Sequence, residues 1–305
     1  MDFSLDPAMP AYSALSSVLL FNLDIMEVNE KGIMEDADIE FLHDFRVANR
    51  RSRSLVTRVK HVYPKTGLGH FRRAFSWLSK LTSTHRDLDV FLADFATYEM
   101  KIPVNSGGEL ESLRGLLQEK REIEHGKLVK ALDSRRFNTF KHDWRCFLEE
   151  GNRKPPDAPK SMTPIMDVAS ESIRDNFRKL LKQGNRINRN YNFEAIHKLR
   201  KDGKKLRYLL ETFKSLYPAD DVSRVIKNLK KIQDNLGDIV DMHMQQIMLE
   251  DWKQAMQNRS NVPENTIKAI EYLESLCREE EKKAGEKFRK RFSRFSNKGN
   301  RGLFG

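Results

Sequence analysis

One stretch of this chain occurs twice. Residues 43–64 align with residues 197–218 at an offset of 154. His43 meets His197, Arg46 meets Arg200, Arg53 meets Arg207, Leu55 meets Leu209, Lys60 meets Lys214 and Tyr63-Pro64 meets Tyr217-Pro218. That is 7 identities in 22 positions, against about one or two by chance, and self-similarity at a fixed spacing is an architectural signature. Arg50-Arg51 opposite Lys204-Lys205 conserves charge between the copies. Beyond the prolines a three-residue gap shifts the match to an offset of 151, where Arg73 meets Arg224, Leu78 meets Leu229, Lys80 meets Lys231 and Asp87 meets Asp238. Such a chain is expected to form two similar units about a pseudo-two-fold axis, like an isologous dimer fused end to end.

The units are expected to be helical. Apolar residues recur at helical spacing and no run alternates strictly. Gly (15) and Pro (10) are sparse, together about 8% against a typical ~12%. The periodicity predicts helices over 11–28, 36–62, 68–82, 85–99, 107–133 and 135–149, then 164–187, 193–216, 219–235, 238–258 and 264–290. Tyr63-Pro64 and Tyr217-Pro218 act as stops, Thr84 as a cap, Ser106 with Glu109 as a capping box, and Thr163-Pro164 as a start. The Pro-rich run 151–161 reads as a linker. The expected organisation is an N-terminal tail (1–10), a first helical bundle with an extra connecting helix (11–150), a linker (151–162), a second bundle (163–290) and a basic, frayed tail (291–305). The fold class is all-α: two pseudo-symmetric helical bundles.

Charge narrows the partners. The chain has 305 residues, with 55 Lys/Arg against 44 Asp/Glu and a net charge of +11. That surplus favours a polyanion: nucleic acid, an anionic membrane or polymeric phosphate. Eighteen Phe, 11 Met and 3 Trp can still fill a core, which excludes wholesale disorder. Cys146 and Cys277 stand apart from any CxxC or Cys/His cluster, which argues against a zinc site or a disulfide framework. Isolated thiols suit a reducing cytoplasm. The N-terminus lacks a basic leader region, and the apolar run 18–21 is too short to span a bilayer. A soluble, cytoplasmic protein is expected.

On a 100° wheel the second helix places Leu42, Phe45, Ala48, Leu55, Val56 and Val59 on one side, as a buried stripe. His43, Arg46, Arg50, Arg53 and Thr57 stack in a row on nearly the opposite side. His197, Arg200, Lys204 and Arg207 repeat that row. A merely solvated face would intersperse carboxylates, because like charges at i, i+4 destabilise a helix by ~0.2–0.5 kcal/mol per pair. Neither row contains one, so an external anion lying along each row is the expected compensation. Arginine grips phosphate with paired N–H donors, lysine acts as a mobile point charge, and histidine donates in either protonation state. A metal-ligand or phospho-acceptor role for His43 and His197 is the alternative. The third helix adds Arg72, Arg73 and Lys80, and its counterpart adds Arg224, Lys227 and Lys231; each could equally be the charged flank of a bundle helix. Asp87, expected in the first turn of the fourth helix, suits the positive end of the dipole and would orient arginines. Magnesium binding by Asp87 with Asp89 is the sharper reading of that segment.

These residues resemble the CHAD family, the conserved histidine α-helical domains. The likeness rests on residues 43–53 (His-Asp-Phe-Arg-Val-Ala-Asn-Arg-Arg-Ser-Arg), on Arg86-Asp87-Leu88-Asp89-Val90, on residues 197–208, and on Leu229 to Asp238 with Leu236-Gly237-Asp238. It covers about residues 11–285. The resemblance implies an all-helical fold of two four-helix-type bundles around a basic central channel that binds inorganic polyphosphate without catalysis. Carried over by position, the binding residues are His43, Arg46, Arg50, Arg51, Arg53, His197, Arg200, Lys204, Lys205 and Arg207. Arg73, Lys80, Arg86, Lys201, Arg224, Lys227 and Lys231 complete the candidate set. His85 departs from the family, which often has Gly at or near that position. Glu279-Glu280-Glu281-Lys282-Lys283 matches the Glu-x-Glu-x-Lys mark of triphosphate tunnel enzymes, but in an expected helix, so the chain reads as a stand-alone member.

The expected function is therefore a non-catalytic polyphosphate-binding module, cytoplasmic and associated with polyphosphate or storage granules, with no cofactor and no metal. Nucleic acid is the second choice, because the rows are not interleaved with the aromatics that base stacking needs; Tyr208 is the nearest candidate. A Mg-dependent polyphosphate-processing enzyme is third, since the sequence shows no P-loop and no carboxylate cluster.

Overall fold

The computed structural model describes residues 4–103, 110–153, 155–189, 192–259 and 262–296. Among them the chain forms helices and no β-strand. The helices are α1 (Ala11–Met34), α2 (Ile39–Arg58), α3 (Lys65–Leu81), α4 (Ser83–Ala93), α5 (Phe95–Lys101) and α6 (Glu111–Leu132). They continue with α7 (Arg135–Arg153), α8 (Ile165–Arg189), α9 (Phe193–Thr212), α10 (Ala219–Gln257) and α11 (Glu264–Phe295), with a 3₁₀ turn at Lys214–Leu216.

The sequence offset recurs in the helix boundaries. α1 and α8 begin at 11 and 165, α2 and α9 at 39 and 193, α3 and α10 at 65 and 219, each pair 154 apart. The local causes repeat too. The Asp38 side chain accepts from Glu40 N to open α2, and Asn192 accepts from Ala195 N to open α9, each satisfying an orphan N–H of a first turn. Pro64 and Pro218 precede α3 and α10. The Ser16 hydroxyl meets Tyr63 Oη at 2.7 Å, and Ser170 meets Tyr217 Oη at 3.0 Å. Pro10 and Pro164 form an antiparallel bridge, with Ala11 N donating to Thr163 O (2.9 Å) and Ile165 N to Met9 O (2.8 Å). The two bonds exchange under the same 154-residue shift.

The structure departs from the sequence reading at several helix ends. The segments expected at 219–235 and 238–258 are one helix of 39 residues, α10. Gly237 does not break it, because Ile232, Leu236, Ile239 and Val240 around it are buried and packing overrides its propensity cost of ~1 kcal/mol. The expected helix 85–99 divides at Asp94 into α4 and α5. Thr84 is not a cap: α4 starts at Ser83, after Thr82. α7 runs on to Arg153, into the expected linker, and Lys160 N there donates to His61 O at 2.8 Å. The tail at 1–10 is anchored by Leu5, which is buried and donates its N–H to Ser215 Oγ. α11 extends to Phe295, and Phe292 and Phe295 are buried, so the helix continues through the start of the expected frayed tail and docks there by these two rings. The capping box expected at Ser106 and Glu109 lies outside the described residues, as do 297–305.

Two apolar clusters hold the helices. The larger joins α1, α2, α3, α7, α8 and α9 with the first half of α10 and the end of α11. The smaller joins Leu88, Phe91 and Phe95 to Leu113 and Leu116 of α6, to Trp252 and Met256 of α10, and to Ile270 and Leu273 of α11. Both draw on the two sequence halves, so the core does not divide at 151–162. α1 is long and apolar enough to cross a bilayer, but half of that window is buried against the rest of the chain.

Candidate anion-binding site

The α2 wheel holds: Leu42, Phe45, Ala48, Leu55, Val56 and Val59 are all buried. α2 packs against α9, and the two cationic rows interact across that contact. Lys204 is half-buried and makes no hydrogen bond or ion pair among the described residues. Burial pulls its pKa down to about 8, and Arg200, Arg50 and Arg207 push the same way, against Asp241. Arg46 donates to Thr82 Oγ1 at 2.6 Å. Burial, then the neighbouring Arg50, lowers its pKa to about 10, while Asp87 opposes the shift. Arg50 Nε, Arg200 Nε and His197 Nδ1 are buried without hydrogen-bond partners among the described residues. Arg46, Arg50, Arg200 and Lys204 thus form one cluster of four cations with two carboxylates, Asp87 and Asp241, among them.

The histidines flank this cluster. Desolvation and then Arg86 lower the His43 pKa, and Arg86 Nη2 lies 3.3 Å from His43 Nδ1. The guanidinium can only donate, so that nitrogen's lone pair is engaged and unavailable to a metal. Desolvation, then Lys201 and Arg200, lower the pKa of His197. Both shifts favour the neutral ring. Arg86 is fixed by Ile39 O at 3.0 Å.

The remaining candidates divide in two. Arg51, Lys205 and Arg207 meet the protein's own acids: Glu211 lies 3.6 Å from Arg51 and 3.3 Å from Arg207, and Asp202 lies 3.7 Å from Lys205. Arg53, Arg73, Lys80, Lys201, Arg224, Lys227 and Lys231 are exposed, and Arg224 pairs with Asp221 at 2.8 Å. These outer residues do not join the half-buried cluster.

Several groups escaped the sequence reading. Glu211 is the next residue of the second row, four after Arg207, and stands 154 from Thr57. Arg200 pairs with Asp241 at 2.9 Å. Arg46 and Asp87 stand 154 residues before Arg200 and Asp241, so Asp241, not Asp238, matches Asp87; the 151 offset fails here. Asp87 lies in the second turn of α4, not the first. Crowding strips water from its carboxyl and raises its pKa, Arg46 opposes, and Asp241 adds to the rise. Asp89 engages other partners, His85 and Arg121, whereas Asp87 faces Arg46 and Asp241, so the two carboxylates serve different surroundings. Arg58 pairs with Asp202, and Lys179 reaches the same carboxylate at 3.0 Å. Tyr208 is buried and offers no stacking face.

An all-α scaffold that sets a half-buried cation cluster between two packed helices is the class defined so far. The chain belongs to the CHAD domain family, whose model matches residues 17–250. It is similar to a crystal structure of the CHAD domain from the plant Ricinus communis (22% identity, 96% of this chain and 95% of that one, TM-score 0.79). It is also similar to PptA from Streptomyces chartreusis (15% identity, 93% and 99% covered, TM-score 0.64). Both likenesses concern the fold. No curated protein sequence matches the chain.

Proposed function

We propose that this protein is a non-catalytic module that binds inorganic polyphosphate along α2 and α9. The two halves act as copies about a pseudo-two-fold axis, and their cationic rows line one channel. The observation that carries this reading is Lys204: a half-buried ammonium without a partner among the described residues, with Arg50, Arg200 and Arg207 around it. An unpaired cation among cations is unfavourable in the free protein. A chain of phosphates supplies the missing negative charge at regular spacing and needs no base recognition. The burial of Tyr208 favours this polymer over single-stranded nucleic acid. In a cell such a module would associate with polyphosphate in the cytoplasm.

The test titrates long-chain polyphosphate against wild type and an Arg46/Arg50/Arg200/Lys204→Ala variant. The variant is expected to bind at least about a hundredfold more weakly, four charge-assisted contacts being lost. Equal affinity ends the proposal. Displacement of the polymer by RNA at equal charge concentration would transfer the site to nucleic acid.

A further inference from the structure

His85 and His125 form a second polar site outside the basic rows. His85 is 3% exposed, and its Nε2 is buried without a hydrogen-bond partner among the described residues. Its Nδ1 lies 3.2 Å from Asp89 Oδ2. The carboxylate accepts, so in the neutral ring Nδ1 carries the proton and Nε2 keeps its lone pair. The His125 ring stands 5.4 Å from that of His85. His125 Nε2 lies 2.8 Å from Ile33 O; a carbonyl only accepts, so the free lone pair of His125 is on Nδ1. Asp36 completes the group from the turn between α1 and α2, where it holds a left-handed φ of 51°. One ligating atom from each of Asp36, His85 and His125 lies within 4.8 Å of the other two. Arg121 fixes the surroundings, donating to both Asp36 oxygens (2.7 and 2.6 Å) and to Asp89 Oδ1 (2.7 Å).

We propose that Asp36, His85 and His125 bind one divalent transition metal ion of the zinc class. Two imidazoles and a carboxylate are a ligand set for such ions. In their sites the second nitrogen of each histidine is anchored by a carboxylate or a backbone carbonyl, the arrangement Asp89 and Ile33 O provide here. Paired imidazoles select zinc, cobalt or nickel over magnesium and calcium. Arg121 does not consume Asp36, since each carboxylate oxygen has two acceptor directions. Asp36 and Asp89 outnumber Arg121 by one charge, so a dication enters a net negative site. The bound ion ties the α1–α2 turn to α4 and α6. The three ligands are none of the residues assigned to polyphosphate.

The test is calorimetric titration of the full chain with Zn²⁺, with Co²⁺ as a spectroscopic probe, in the absence of polyphosphate. One Zn²⁺ per chain, a raised Tm, and visible Co²⁺ bands are expected, with no response to Mg²⁺. Asp36→Asn and His125→Ala are expected to weaken Zn²⁺ binding at least about tenfold. Asp36 lies on an exposed turn, so Asp36→Asn decides the matter even if His125→Ala loosens packing. Cys146→Ser removes the exposed Cys146–His142 pair (3.6 Å) as a competing site and is expected to leave the titration unchanged. No Zn²⁺ binding by wild type, an affinity unchanged in Asp36→Asn, or binding lost in Cys146→Ser overturns the proposal.

Discussion

At neutral pH the Lys204 ammonium sits among Arg50, Arg200 and Arg207 with its pKa lowered from 10.5 to about 8. Between those values the unfolded chain holds the proton and the folded chain does not, so stability of the free protein rises with pH through that window. A bound polyanion raises the pKa again, and affinity therefore falls as pH climbs past 8. Polyphosphate titrations at pH 7 and pH 9.5 should show weaker binding at the higher pH; a flat profile would contradict the role given to Lys204. Lys204→Met should weaken binding yet raise the Tm of the free protein by ~2–4 °C, as removal of ~1 kcal/mol of repulsion predicts. His43 and His197 titrate below their ordinary 6.5. Acid thus destabilises the free protein and favours anion binding, an effect that His43→Ala/His197→Ala should flatten. The row spacing was legible in the sequence because it lies within one helix. Asp241 and Asp202 were not assigned to it, because their contacts with Arg200 and Arg58 depend on the fold.

Some helix starts were legible because their signals are local: the expected starts at 193, 219 and 264 are those of α9, α10 and α11. The expected starts at 36 and 68 miss α2 and α3 by three residues, Asp38 and Pro64 being the residues that precede them. Helix ends were less so, because tertiary packing sets them. α11 continues past residue 290 because Phe292 and Phe295 find a core to enter. At Gly184 of α8 an added Cβ would lie 1.9 Å from Phe292 Cζ, so the glycine admits the ring. Phe292→Ala should destabilise by ~3–5 kcal/mol, a buried aromatic being lost. Gly184→Ala should cost ~1–3 kcal/mol through overpacking, both measured by chemical denaturation. A Phe292→Ala protein as stable as wild type would mean that the end of α11 does not dock. Gly237 gave no sign in the sequence of lying inside a 39-residue helix, because its propensity argues for a break and only its buried neighbours override it.

At the scale of the whole molecule, the 154-residue offset was the most legible feature, and it places the starts of three helix pairs and two matching Ser–Tyr bonds. What the offset could not convey is that both apolar clusters are shared between the halves, since such contacts join residues far apart in the chain. Binding by opposed cationic rows should be strongly salt-dependent, by analogy with counterion release from nucleic acids. A plot of log affinity against log salt should fall steeply for wild type and with a shallower slope for the Arg46/Arg50/Arg200/Lys204→Ala variant. The most direct measurement is a crystal structure of the protein with a phosphate polymer. Phosphates lying between α2 and α9, in contact with Arg46, Arg50 and Lys204 together, are the predicted result. Phosphates confined to the outer surface at Arg224, Lys227 and Lys231, with the Lys204 cluster left bare, would contradict it.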